Sequence, residues 1–173
     1  MIEFQHSPIS VEECEIRTLF YGNIFWVVDG LKRKRDQGKF LGSLTSVTAI
    51  FNSPFVGRIF TLKGDGGPLF RDWSNCQAPV LFDFNNANLL WCLLPGKDQE
   101  RIVAEISRSA FIYFILTSTK SEDHFLTLLI AIEKLAAAYR IRKVGLGTEI
   151  NNLNAVSSQL AKAINRKVIA KSN

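Results

Sequence analysis

The chain has 173 residues, of which 47% are hydrophobic and 21% are charged, and its formal net charge is +5. This length and composition are typical of one domain with a complete hydrophobic core, so we expect residues 1–173 to form a single domain. The apolar runs are too short for the roughly 20 residues that span a bilayer, which argues against membrane insertion. No export signal is recognisable at the N-terminus, and we therefore expect a cytoplasmic location.

The residues that could form disulfides or metal sites are few. Three cysteines, Cys14, Cys76 and Cys92, lie far apart and form no Cys-x-x-Cys motif. This pattern predicts reduced, buried thiols rather than a disulfide framework. With only His6 and His124 in the chain and no carboxylate cluster of suitable spacing, we expect no bound metal.

The first thirty residues predict a strand followed by a helix. Residues 2–6 favour a short strand, and Ser10 can cap a helix whose first turn carries Glu12 and Glu13, where negative charge suits the helix dipole. Residues 21–28 are rich in aromatic and β-branched types and end at a turn dipeptide. They fit a strand or a continuing buried helix, and the pattern does not separate the two.

The middle of the chain predicts an antiparallel meander. Residues 44–51 and 56–62 favour two strands of a hairpin, and residues 80–84 and 88–93 favour two more. The glycine-rich residues 64–68 lack the Lys and Ser/Thr of a phosphate-binding P-loop. No helix is indicated behind them, so we expect a plain turn.

The C-terminal third predicts alternating strands and helices. Residues 110–116 are apolar without alternation, as in a strand buried on both faces. Residues 125–139 have helical periodicity, residues 143–148 favour a strand, a second helix starts at Asn151 or Asn152, and residues 167–170 favour a last strand. We therefore expect an α+β fold with a mixed, mostly antiparallel sheet and a C-terminal β-α-β-α-β unit.

The segment Lys143-Val144-Gly145-Leu146-Gly147-Thr148 and the following Asn152-x-x-Ala155 resemble the C-terminal part of the GNAT acyltransferase superfamily. The resemblance implies a GNAT-like fold, N-acyltransferase activity, and acetyl-CoA or another acyl-CoA as cofactor. It also implies that Thr117, Thr119 and Lys120 hold the phosphates and that Asn152 orients the pantetheine arm. Apart from this resemblance, the residues imply no cofactor.

Two positions differ from the family's pattern and leave the catalytic residues unknown. The phosphate-binding region, residues 117–124, contains no glycine and carries the acids Glu122 and Asp123. Gln159 stands where the family often has a proton-donating tyrosine, and an amide cannot supply that proton. We therefore favour a non-catalytic binding or regulatory module on a GNAT-like scaffold, with a divergent N-acyltransferase as the alternative.

Two basic segments are candidates for partner binding. The first is Lys32, Arg33, Lys34 and Arg35, and the second is residues 134–173, where eight basic residues face the single acid Glu149. Such segments attract a protein partner or an acidic ligand, although they can also be plain solvated surface. Nucleic acid is a third hypothesis, but neither segment interleaves aromatic residues that would stack on bases.

Overall fold

The computed structural model describes residues 1–50, 55–62, 66–95 and 101–118, and the expectations for residues 119–173 lie outside these ranges. The described part is an α+β structure with one seven-stranded sheet and four helices. In chain order the elements are β1 (Ile2–Gln5), α1 (Val11–Tyr21), β2 (Phe25–Asp29), α2 (Asp36–Ser43), β3 (Leu44–Ile50), β4 (Val56–Leu62), α3 (Gly67–Trp73), β5 (Val80–Asp83), β6 (Leu89–Leu93), β7 (Arg101–Ser107) and α4 (Arg108–Ser118). None of these helices is long and apolar enough to cross a membrane.

The sheet is mixed and mostly antiparallel, as the sequence predicted. Its strand order is β1-β2-β5-β6-β7-β4-β3. Strands β1, β2 and β5 run parallel to one another, whereas the remaining four pairings are antiparallel. The parallel strands thus form one side of the sheet, and their carboxyl ends share one edge.

The predicted start of the chain is confirmed. The Ser10 side chain accepts a hydrogen bond from the Glu13 backbone N–H at 3.1 Å, so it satisfies one of the donors that the first turn of α1 leaves free. Helix α1 ends at Gly22, whose φ of 64° is unstrained only for glycine. Within residues 21–28, Tyr21 ends α1 and residues 25–28 belong to β2, so the second half of this segment is a strand and not a continuing helix.

Both faces of the sheet are covered by helices. On one face α1, α2 and α3 bury a cluster that includes Trp26, Phe40 and Trp73. On the other face Phe111 of α4 packs in a cluster with Phe25 and other strand residues. Neighbouring residues Phe25 and Trp26 of β2 are both fully buried, as expected for a strand in the interior of a two-sided sheet.

The prediction of a strand at residues 110–116 is wrong, because these residues lie in helix α4. The preceding strand, β7, ends at Ser107, whose hydroxyl accepts a hydrogen bond from the Ala110 N–H at 3.3 Å and caps the helix. Phe111 is buried while Ile112 and Leu116 are exposed, so the apolar residues surround the helix instead of forming one stripe. An apolar run without periodicity does not distinguish a buried strand from such a helix.

Two further helices were missed. Helix α3 follows the glycine-rich segment, where the sequence indicated only a turn. Gly66 has a φ of 61°, and Pro68 stands in the first turn of α3, where its missing N–H costs no hydrogen bond. Helix α2 begins at Asp36, directly after the basic segment at residues 32–35.

Candidate functional site

The carboxyl ends of the three parallel strands form the wall of an open cleft of about 430 Å³. Asp29 at the end of β2 lies in register with Asp83 at the end of β5, and Gln5 ends the neighbouring β1. Ligands of open α/β sheets commonly bind outside the carboxyl ends of parallel strands. The cleft is lined by Phe4, Gln5, His6, Val27, Asp29, Leu31, Asp83 and Asn85.

A chain of polar contacts crosses one side of the cleft. The Nδ1 atom of His6 lies 2.7 Å from an Asp29 carboxylate oxygen, and the other oxygen accepts the Leu31 backbone N–H at 2.9 Å. The Nζ atom of Lys32 lies 3.4 Å from Nε2 of His6. When the ring is neutral, His6 therefore donates from Nδ1 to Asp29 and accepts from the Lys32 ammonium group.

On the opposite side of the cleft, Asp83 binds Arg108 at the start of α4. Nη1 of Arg108 donates to Oδ2 at 2.9 Å, Nη2 donates to Oδ1, and Nε donates to the Asn86 carbonyl at 2.6 Å. Oδ1 also accepts the Asn85 N–H at 2.7 Å. The hydrogen bonds from Arg108 lower the pKa of Asp83 below its ordinary value, and the same contact raises the pKa of Arg108.

The predicted basic segment follows β2 and borders the cleft through Lys32. Its members differ in their surroundings. Arg33 already has ion-pair partners within the protein, because its Nε lies 3.2 Å from Oδ2 of Asp36 and its Nη2 contacts the carboxylate of Asp72. Lys34 and Arg35 are exposed, and the described part of the chain offers neither of them an ion-pair partner. Two cations in this segment, together with Lys32, are therefore available to a ligand.

An exposed aromatic residue lines the cleft that Lys32 borders through His6. Phe4 points out from β1 with 72% of its surface exposed, and it lines the cleft two residues before His6. Leu31, 43% exposed, adds a second apolar group to the same wall. The sequence showed no aromatic residue within the basic segment. The fold supplies one from a different strand.

The residues that the GNAT resemblance implied for an acyl-CoA are not gathered in the described part of the structure. Thr117 lies in the last turns of α4, where the backbone N–H groups are used by the helix, and not at the end of a strand. Thr119, Lys120 and Asn152 lie outside the described residues. The described residues thus supply no loop of N–H groups for the phosphates of acyl-CoA.

Several cleft residues were not singled out from the sequence. Asp29, Asp83 and Arg108 were missed, and His6 entered only as one of two histidines. A usable signal existed, because Asp29 and Asp83 each follow directly on an apolar run, 25–28 and 80–82, that predicts a buried strand. Their meeting required knowing that β2 and β5 are parallel neighbours, although more than fifty residues separate them.

The described residues contain no group of three or more His, Cys, Asp or Glu side chains placed to hold a metal ion. All three cysteines are free and buried, as predicted.

A scan against protein-family models, a search of curated proteins and a search of solved structures each return no match. The cleft is thus defined by its own geometry and charge.

Proposed function

We propose that the protein is a binding module for an acidic ligand and that this ligand is single-stranded nucleic acid. The ligand would bind along the cleft and the basic segment at residues 32–35. The observation that carries the proposal is the exposed Phe4 ring in the wall of the cleft that Lys32 borders through His6, together with Lys34 and Arg35, which have no ion-pair partner among the described residues. Single-stranded nucleic acid offers both matching groups, since its bases stack on aromatic rings and its phosphates pair with Lys and Arg.

The carboxylates of the cleft are compatible with an anionic ligand. Asp83 is neutralised by Arg108, and Asp29 accepts hydrogen bonds from His6 and from the backbone. Gln5 and Asn85 add amide groups that can donate to phosphate or base oxygens. Lys34 and Arg35, which have no carboxylate partner among the described residues, follow Lys32 in the chain, so we expect a strand bound in the cleft to reach them.

The direct test is fluorescence anisotropy of a labelled single-stranded oligonucleotide titrated with the full chain at several salt concentrations. We expect Phe4→Ala to weaken binding by roughly 5- to 100-fold through loss of stacking. Phe20→Ala is the matched control, because Phe20 is 79% exposed on α1 and does not line the cleft. Its affinity should equal that of the unmodified chain.

A second pair of variants tests the cations. Lys34→Ala with Arg35→Ala should lower the slope of log affinity against log salt by roughly 1.4, about 0.7 for each phosphate contact. Lys167→Ala with Lys171→Ala removes the same charge from the second basic segment and should leave the slope unchanged. If the two double variants behave alike, or if no oligonucleotide binds at low salt, the proposal is wrong.

The same measurement separates nucleic acid from an acidic protein partner. An acidic peptide such as polyglutamate carries negative charge but no bases. If polyglutamate competes as strongly as the oligonucleotide and Phe4→Ala changes neither affinity, then the acidic ligand is a protein. In that case the binding-module proposal stands and its nucleic-acid assignment is refuted.

A further inference from the structure

Two buried thiols from distant parts of the chain meet beneath α1. Cys14 is 3% exposed in the second turn of α1, and Cys76 is 7% exposed in the short segment between α3 and β5. Their sulfur atoms lie 3.6 Å apart across 62 residues of sequence, with the Cys14 thiol donating to Cys76. The Thr18 hydroxyl lies 3.9 Å from the Cys76 sulfur. Neither Cys14 nor Cys76 lines the binding cleft.

The geometry of the pair is close to that of a disulfide. A disulfide needs the two sulfur atoms about 2 Å apart, so the thiols must approach by roughly 1.5 Å. Cys76 lies between the exposed residues Asn75 and Gln77, in a segment without regular secondary structure that can supply this movement. We propose that Cys14 and Cys76 are a redox-active dithiol, which a hydroperoxide converts reversibly into a disulfide between α1 and the segment after α3.

The two thiols differ in pKa, and the reaction requires that one of them is the more readily deprotonated. The hydrogen bond donated by Cys14 lowers the pKa of the Cys76 thiol, while the same contact raises the pKa of Cys14. Because Cys76 accepts this hydrogen bond and is the more exposed of the two, at 7% against 3%, we assign the attack to Cys76 and the resolving step to Cys14. Cys92 is an internal reference, because it is 0% exposed and burial raises its pKa to about 12.

The reaction proceeds in two steps. The Cys76 thiolate attacks the terminal oxygen of the hydroperoxide, an S–O bond forms, the O–O bond breaks, and the alcohol leaves with a proton. Cys14, which loses its own proton, then attacks the sulfenic sulfur, so that the S–S bond forms and water leaves. In total, two thiols and one hydroperoxide give one disulfide, one alcohol and one water. An external dithiol then reduces the disulfide to the two thiols by thiol–disulfide exchange.

The disulfide would change how firmly α1 is attached. Cys14 is the buried residue of α1, and the helix is otherwise linked to the sheet by Arg17, which donates to Glu3, and by Thr18, which accepts from Trp26. A covalent link across 62 residues restricts the unfolded chain and should raise the melting temperature by roughly 5–15 °C.

The experiment treats the reduced full chain with an equimolar amount of hydrogen peroxide and then alkylates all thiols under denaturing conditions. We expect the number of alkylated cysteines to fall from three to one, with Cys92 the one that remains, and mass spectrometry to find Cys14 and Cys76 in one cross-linked pair of peptides. A dithiol reductant should restore all three thiols. The melting temperature of the oxidised chain should rise as stated.

Cys92→Ser is the matched variant and should still form the disulfide, whereas Cys14→Ser and Cys76→Ser should not. The unmodified chain provides the decisive reading even if a variant fails to fold. Three alkylated thiols after treatment, a sulfinic acid on Cys76 without a cross-link, or disulfides only between separate molecules would each overturn the proposal.

Discussion

The ion pair between Asp83 and Arg108 closes one side of the cleft and gives a quantitative prediction. Replacing Asp83 by Asn removes the charge but keeps the shape of the side chain. Arg108 makes two hydrogen bonds to the carboxylate, whose side chain is 29% exposed. Hydrogen bonds to charged groups are worth about 1.5–3 kcal/mol, and exposure to solvent reduces this value, so we expect a loss of about 1–2 kcal/mol of unfolding free energy at neutral pH.

The pH dependence of that loss follows from the pKa of Asp83, which Arg108 lowers in the folded chain. The stabilisation is present above the unfolded value of 3.8 and disappears as the pH falls through the lower folded pKa. The difference between the unmodified chain and Asp83→Asn should therefore be largest near pH 7 and should shrink below about pH 4. Urea denaturation at a series of pH values, followed by tryptophan fluorescence, measures this difference.

A double-mutant cycle with Arg108→Gln isolates the pair, and we expect a coupling of about 1 kcal/mol at neutral pH. Asp72→Asn is the matched control. Asp72 is similarly exposed at 34%, but it contacts Arg33 through one nitrogen, so its loss should stay below about 1 kcal/mol. An Asp83→Asn loss that is equal at pH 3 and pH 7, or a coupling near zero, would refute the reasoning.

Three further predictions concern stability and can be measured by the same denaturation assay. Arg58→Ala should cost about 2 kcal/mol, because Glu105 is only 8% exposed and loses the guanidinium that binds both of its carboxylate oxygens; an unchanged midpoint would contradict this. Gly30→Ala should lower the free energy of unfolding by about 2 kcal/mol or more, because the added methyl carbon would lie 2.3 Å from the buried ring of Phe84. Gly38→Ala in α2 is the matched control: its methyl group meets no atom within 4 Å, so it should raise the free energy of unfolding by about 0.5 kcal/mol. Ser10→Ala should lower the free energy of unfolding by about 1 kcal/mol, because α1 loses its N-cap, whereas Ser10→Thr should keep most of the stabilisation that the cap provides.

The elements that the sequence predicted correctly are those with local signals. Ser10 and the acids of the next turn mark the start of α1, and the apolar runs bounded by turn residues mark β3, β4, β5 and β6. The failures occur where local rules conflict. Residues 110–116 are apolar on all sides. The segment that contains Pro68 was expected to be a plain turn, although the first turn of a helix accepts proline. Helix α2 contains Gly38 and Gly42, which lower helix propensity, so its stability depends on contacts such as the packing of the buried Phe40.

The candidate site was less predictable than the fold because it depends on long-range pairing. The basic segment was visible in the sequence, but nothing local shows that Arg33 also pairs with Asp72, 39 residues away. Phe4 and Lys32 are also far apart in sequence. Phe4 lines the cleft and Lys32 borders it through His6 because β1 and β2 are parallel and end at the same edge.

The distribution of ion pairs is compatible with the proposed binding of an anion at a sheet edge that carries two carboxylates. Asp83 is paired with Arg108 of α4, and Asp29 accepts hydrogen bonds from His6 and from the Leu31 N–H, so both carboxylates have partners within the fold. Lys34 and Arg35 receive no such partner among the described residues. Exposed charges interact with a ligand at long range, whereas paired charges mainly fix structure. Affinity for an anionic ligand should therefore reside in the unpaired cations, and the selection of its chemical class should reside in the exposed ring of Phe4.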